Sequence, residues 1–254
     1  MIEMVGENGK FFIKQFGLQR SGTNAVKALL EVNFPEIRVL TTFLGNKHKP
    51  TNYQSLFDQS DDPNFREYDL TLSDVTDIRE LVQSKDLPIL FQIKNPIPWF
   101  ESYFRYQKKK ILFRNPEANP EFNNNWISKS LEIWNTSVTS WLELSKKYPY
   151  SIIIEHMEIL TNPDNVVQRI MSKFSYEKTK TIELIENEMK RGHYKEHGKD
   201  LINPYHKFDP TFHTEKKWLE NYTPELLEFA RKSVDETIAK NPILSEFDFD
   251  FSTY

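Results

Sequence analysis

The sequence predicts an α/β fold, a mostly parallel sheet flanked by helices in a three-layer sandwich. Three observations carry this expectation. Four short apolar runs, at 11–16, 37–43, 89–93 and 151–155, have the length and composition of buried strands. Helical patterns separate them, as parallel strand connections require. The 254 residues suit one such unit, and no internal repeat or linker-like tract divides them, so 1–254 reads as a single domain.

The first run, Phe11–Phe16, leads into Gly17, and a helix is expected from Asn24 to Asn33 with Val26, Leu29 and Leu30 on one face. The second run, Ile37–Phe43, is followed by residues 45–74, which are polar and rich in turn formers. The third, Ile89–Ile93, ends at Lys94-Asn95-Pro96. Beyond it, Pro98–Lys109 places Trp99, Phe100, Tyr103 and Phe104 on one helical face. Residues 114–125 contain Pro116, Pro120 and three consecutive asparagines, and read as a loop. Trp126–Lys147 aligns Leu131, Trp134, Val138, Trp141 and Leu142 in one stripe. After the fourth run, Ser151–Glu155, the pair Asn162-Pro163 starts a helix with proline at its first position, and Val166, Val167, Ile170, Met171 and Phe174 form its buried stripe. Residues 191–218 look irregular. Thr223-Pro224 starts the last helix, with Leu227, Ala230, Val234 and Ile238 turned inward.

Composition narrows the function classes. Lys+Arg 33 against Asp+Glu 37 gives a net charge of −4, so neither a nucleic acid polymer nor a membrane surface is expected as partner. Any anion site must be local. Cysteine is absent, which removes disulfides and thiolate metal sites. No apolar stretch is long enough to span a membrane, and residues 1–10 lack the apolar core of a secretion signal, so a cytoplasmic location is expected. Glycine is scarce at 7 residues, yet two of them bracket one short loop.

That loop is Gly17-Leu18-Gln19-Arg20-Ser21-Gly22-Thr23-Asn24. Strand, glycine-bracketed loop and helix together cradle a phosphate, because loop N–H groups and the positive helix end converge on one anion. The glycine spacing is that of a P-loop, which makes the expected sheet P-loop-like. The residues after the second glycine differ. A nucleoside triphosphatase places Lys there, then a hydroxyl for magnesium, whereas Thr23 and Asn24 stand here. The loop's cation is Arg20, which reads either as a ligand of the anion or as a surface residue of the loop. A second pair, Lys94 and Ser102, would stand at the same carboxyl edge of the sheet and could clamp a second phosphate. From spacing alone a solvated strand-end lysine and a helix-surface serine is the plainer reading.

Gly17–Asn24 resembles the 5′-phosphosulfate loop of sulfotransferases, written P-[RK]-S-G-T-x. Lys94-Asn95-Pro96 with Ser102 is similar to their 3′-phosphate motif, Arg-Asp-Pro with a serine eight residues after the arginine. Trp134, Trp141, Ile152–Glu155 and Asn162-Pro163 look like the family's W…W…v-x-Y-E-D-L…D-P segment. Lys216–Leu219 and Tyr222–Leu226 resemble the closing segment of bacterial members. The likeness runs over residues 11–240. It departs from the family at Gln19 (usually Pro), Lys94 (Arg, with loss of bidentate geometry), Asn95 (Asp) and Ile154 (Tyr).

The resemblance implies sulfuryl transfer from 3′-phosphoadenylyl sulfate (PAPS) to a hydroxyl or amine of a small-molecule or saccharide acceptor, leaving adenosine 3′,5′-bisphosphate (PAP). Gln19, Arg20, Ser21, Gly22, Thr23 and Asn24 would hold the 5′-phosphate, with Arg20 at the leaving oxygen. Lys94 and Ser102 would hold the 3′-phosphate, and no metal is needed. His48, after the second strand, would be the base, with Lys47 near the sulfuryl group. On residues alone His48 reads equally as an exposed loop histidine. Asp69 and Asp74 are reserve candidates for the base. His193, His197, His206 and His213 match no common metal spacing and read as part of a basic loop closing over the 3′-phosphate, together with Lys207, Lys216 or Lys217. The Trp99–Tyr106 helix and the 114–125 loop would frame the acceptor. Two alternatives stand beside this reading: a kinase with an aberrant loop, and a nucleotide-binding protein without catalysis.

Overall fold

A four-stranded sheet, all parallel, occupies the centre of the molecule. The computed structural model describes residues 9–52, 56, 70–176 and 210–246, and the backbone of 195–196 and 199–200. Strands β1 (Phe11–Gly17), β2 (Ile37–Leu40), β3 (Ile89–Ile93) and β4 (Ser151–Glu155) lie in the order β2-β1-β3-β4. Ile13 pairs with Val39, Phe16 with Phe91 and Leu90 with Ile152. The chain leaves β1 in one direction to make β2 and returns to its other side to make β3. The crevice between β1 and β3 is therefore the topological switch point where such sheets bind ligands.

Side-chain alternation divides β1 between two apolar layers. Phe11 and Ile13 pack with Val26, Leu29 and Leu30 of α1 (Thr23–Asn33) and with Val166, Val167 and Ile170 of α6 (Pro163–Lys173). Phe12 and Phe16 face the larger layer. It is filled from α2 (Leu72–Ser84), α3 (Pro96–Arg114), α4 (Asn124–Lys147) and α8 (Pro224–Lys240). Trp99, Trp134, Trp141 and Trp218 are fully buried there. Truncating any one of them to alanine would cost about 3–5 kcal/mol. Short helices α5 (His156–Thr161), α7 (Thr211–Thr214) and α9 (Pro242–Ser245), a 3₁₀ turn at Lys217–Asn221, and a two-residue antiparallel ladder (β5, Lys195–Glu196; β6, Lys199–Asp200) complete the described elements.

Three boundaries differ from expectation. β2 stops at Leu40 because the chain curls back over the end of β1. The Lys47 N–H donates to the Thr41 carbonyl (2.9 Å), and the Gly17 N–H donates to the Lys47 carbonyl (2.8 Å). α3 begins at Pro96, where the Asn95 side chain accepts from the Ile97 N–H, and it runs on to Arg114. α2 was not anticipated at all. It opens with a capping box in which the Thr71 hydroxyl accepts from the Asp74 N–H while the Asp74 carboxylate accepts from the Thr71 N–H.

Candidate functional site

Every strand of the sheet delivers a segment to the same carboxyl edge. Residues 18–24 follow β1, 41–48 follow β2, Lys94 follows β3 and His156 follows β4. Between them lies a cleft of about 530 Å³. A shallow depression of about 540 Å³ on α8 is lined by that helix alone, which cannot enclose a ligand.

The loop after β1 is held from behind by its carbonyl groups. Trp99 Nε1 donates to the Gln19 carbonyl (2.7 Å), Lys94 Nζ to that of Arg20 (3.3 Å), Gln92 Nε2 to that of Ser21, and Gln15 Nε2 to that of Thr23 (3.0 Å). With these carbonyls fixed inward, no acceptor among the described residues takes the N–H groups of Arg20, Gly22, Thr23 or Asn24. Four unclaimed donors at a helix N-terminus form an anion cradle. Gly17 and Gly22 are required by contact. A Cβ on Gly17 would lie 2.6 Å from Thr23 Cγ2. One on Gly22, whose φ is +83°, would lie 2.9 Å from His156 Cδ2. Arg20 also takes a left-handed conformation (φ 69°), unusual for a residue with a side chain.

The structure separates the predicted loop residues by role. Gln19, Arg20, Gly22, Thr23 and Asn24 line the cleft. Ser21 does not. Its hydroxyl (2.7 Å) and its N–H (3.2 Å) both donate to the Leu18 carbonyl, so Ser21 shapes the loop instead of offering a donor.

Lys94 and Ser102 meet as their spacing suggested, and the solvated reading is overturned. Lys94 is 2% exposed and Ser102 3%. Lys94 Nζ lies 3.1 Å from Ser102 Oγ and 3.2 Å from His213 Nε2. Trp134 Nε1 fixes the Lys94 carbonyl (2.9 Å). Burial holds the Lys94 amine well below the ordinary lysine value, and the Arg20 charge pushes the same way. His156 stacks edge-on against His213, with ring centroids 4.7 Å apart. Burial, then the Lys94 charge, depresses both imidazoles, His213 to about 2. Nδ1 of each is buried without a partner among the described residues. The cleft thus collects nitrogen groups whose proton affinity burial and mutual repulsion hold down.

The segment around α7 closes this side. The Arg105 guanidinium lies 4.2 Å from the Phe212 ring centroid. Asn221 Nδ2 donates to Glu101 Oε1 (3.1 Å), and the Tyr222 hydroxyl donates to the Ile97 carbonyl (2.7 Å). Of the C-terminal cations proposed from sequence, His213 reaches the cleft. Lys216 and Lys217 do not line it. His193, His197, His206 and Lys207 lie outside the described residues.

His48 lines the cleft with its Nδ1 2.6 Å from the Gly17 carbonyl. A carbonyl only accepts, so Nδ1 carries a proton, and in the neutral ring the lone pair is on Nε2. Lys47 is buried and donates to Asn24 Oδ1 (2.8 Å), behind the cleft and not in its lining. Asp74 sits at the opposite edge of the sheet. Its carboxylate is 2.8 Å from Lys10 Nζ, one residue before β1, and it caps α2, which removes it as a candidate base. Asp69 lies outside the described residues.

Sequence reasoning missed His156, Arg105 and Lys109, all in the lining. No aspartate or glutamate lines the cleft among the described residues, although the whole chain carries a net charge of −4. Among the described residues, no helix is long and apolar enough to cross a membrane. No protein-family model matches the chain, and no curated protein matches it.

Proposed function

We propose that the protein is a PAPS-dependent sulfotransferase of the cytoplasm, acting on a hydroxyl or amine acceptor. One observation carries the reading. Two anion-binding constellations, the loop after β1 and the Lys94–Ser102 pair, open into one cleft that no carboxylate lines among the described residues. A donor with phosphates at both its 5′ and 3′ positions fits that pattern. The reaction is an in-line displacement. The acceptor oxygen attacks sulfur, and the bond between sulfur and the 5′-phosphate oxygen breaks. Its electron pair stays on that oxygen, and the acceptor proton passes to His48 Nε2. Arg20 and the free N–H groups stabilise the charge that develops on the leaving oxygen. Arginine supplies the charge that magnesium supplies in triphosphatases, and Thr23-Asn24 stands where a kinase loop has Lys followed by Ser or Thr.

A second reading, nucleotide binding without transfer, is favoured by Lys47. Its ammonium is taken by Asn24 behind the loop, leaving the cleft without that candidate. Transfer of radiolabelled sulfate from PAPS to a panel of saccharide and small-molecule acceptors, with a chelator present, separates the readings. Labelled product supports the sulfotransferase. PAP binding with no product from any acceptor supports the second reading.

A further inference from the structure

The outer half of α3 has a composition unlike the rest of the chain. Residues 105–114 hold Arg105, Lys108, Lys109, Lys110 and Arg114 and no acidic residue. All five cations are exposed. Arg105 pairs with Glu101 (2.6 Å), whereas no carboxylate among the described residues pairs with Lys108, Lys109, Lys110 or Arg114. Two aromatic rings lie among them. Lys110 Nζ is 4.3 Å from the Tyr106 ring centroid, and Phe113 is 91% exposed.

Helical spacing connects this surface to the cleft. Ser102, Arg105, Tyr106 and Lys109 recur at i, i+3, i+4 and i+7, and all four line the cleft. Phe113 continues the same stripe one turn beyond Lys109. The stripe from Ser102 to Phe113 rises roughly 16 Å along the helix axis. A nucleotide with its phosphates at Arg20 and at Lys94–Ser102 leaves Lys109 and the cations beyond it unmatched. Their partner must enter from outside, along α3, and it must carry negative charge at intervals.

We propose that the acceptor is an acidic saccharide, lying along the outer half of α3 with its carboxylates or sulfates on Lys109, Lys110 and Arg114 and sugar faces against Tyr106 and Phe113. The inference rests on the sulfotransferase reading for the word acceptor, while the surface itself stands independently of it. An anionic membrane is the weaker fit. An interfacial helix needs an apolar face, and Phe113 is the one large apolar side chain of α3 that is strongly exposed.

The test uses the whole chain and a double variant, Lys110→Gln and Arg114→Gln, which leaves the cleft lining intact. Binding is measured to polygalacturonate, to neutral dextran and to vesicles of phosphatidylcholine with phosphatidylserine. The variant should bind polygalacturonate roughly tenfold or more weakly at low salt, with PAP affinity unchanged. Phe113→Ala should weaken it by roughly threefold. Dextran should not bind. In transfer assays the variant should raise KM for an acidic saccharide and leave kcat in place. Equal polygalacturonate binding by variant and parent overturns the proposal, as do dextran binding of similar strength, vesicle capture stronger than polygalacturonate capture, and a loss confined to kcat. Failure of PAP to bind the parent chain, with polygalacturonate binding retained, would overturn the sulfotransferase reading and leave the saccharide surface standing.

Discussion

The two halves of the cleft are prepared for an anion in opposite ways. The loop after β1 is preorganised. Its carbonyls are tied to Trp99, Lys94, Gln92 and Gln15, and its N–H groups already face the site. The Lys94 side is charged with potential and poorly compensated. A buried amine and two buried imidazoles sit together with depressed proton affinity. The first region binds through geometry fixed at folding. In the second, an anion seated among the three groups would raise the proton affinity of each. Backbone thus sets position, while side-chain protonation sets discrimination.

The largest expected effect is on the geometric half. Gly22→Ala forces a Cβ to 2.9 Å from His156 at φ +83°. The strain costs about 1–3 kcal/mol of stability and displaces the cradle, so PAP binding should vanish while the circular dichroism spectrum persists. Retained PAP affinity would show that the loop is not the primary anion site.

Next comes Arg20→Ala, which should lower kcat by roughly 10²–10³ with little change in PAP affinity, because the guanidinium acts on charge that appears at the leaving oxygen. His48→Ala should also remove turnover and spare PAP binding. Substantial activity in His48→Ala would place the base elsewhere.

On the other half, Lys94→Met should abolish the preference for PAP over adenosine 5′-monophosphate without unfolding the protein. Removing the amine relieves its burial but leaves the Arg20 carbonyl and Ser102 Oγ without that donor, at a cost of about 1–3 kcal/mol in the empty state, well short of unfolding. A thermal melt showing large destabilisation would mean Lys94 is a structural strut. An unchanged preference would remove it from the ligand.

The last effect acts on the empty site as a linkage to pH. His156 and His213 bind protons less readily folded than unfolded, so the unfolded chain takes up protons first as pH falls below about 6.5. Empty-site stability should therefore decline from pH 6.5 downward, at up to about 1.4 kcal/mol per pH unit for each histidine. His213→Gln should flatten part of that slope, as read by urea titrations between pH 7 and 5. PAP should be accompanied by proton uptake, detectable by calorimetry in buffers of different ionisation enthalpy. Uptake identical in parent and His213→Gln would exclude His213 from the coupling.

The sheet was legible because its strands are continuous apolar runs, and their four spans match the structure to within a few residues. The cradle was legible because two glycines in a glycine-poor chain stood between strand and helix. Helix α2 went unread although Thr71 and Asp74 spell a capping box and Val75, Ile78 and Val82 recur at helical spacing; the polar stretch before it masked the start. Gln15 and Gln92 sat inside apolar runs, a polar intrusion that signals a buried partner, and each holds a loop carbonyl. His156 could not be assigned from sequence, because its partners Gly22 and His213 come from distant parts of the chain. Asp74 was misplaced because sequence order does not reveal at which edge of the sheet a connecting segment turns.

The central claim is that one cleft binds two phosphates of one nucleotide without metal. Calorimetric titration of the whole chain with PAP and with adenosine 5′-monophosphate, each with a chelator present, tests it most directly. The account predicts that PAP binds under chelation and does so roughly tenfold or more tightly than the monophosphate, since the 3′-phosphate adds charge-assisted hydrogen bonds from Lys94 and Ser102. Equal affinities, or binding that appears only with magnesium, would contradict it.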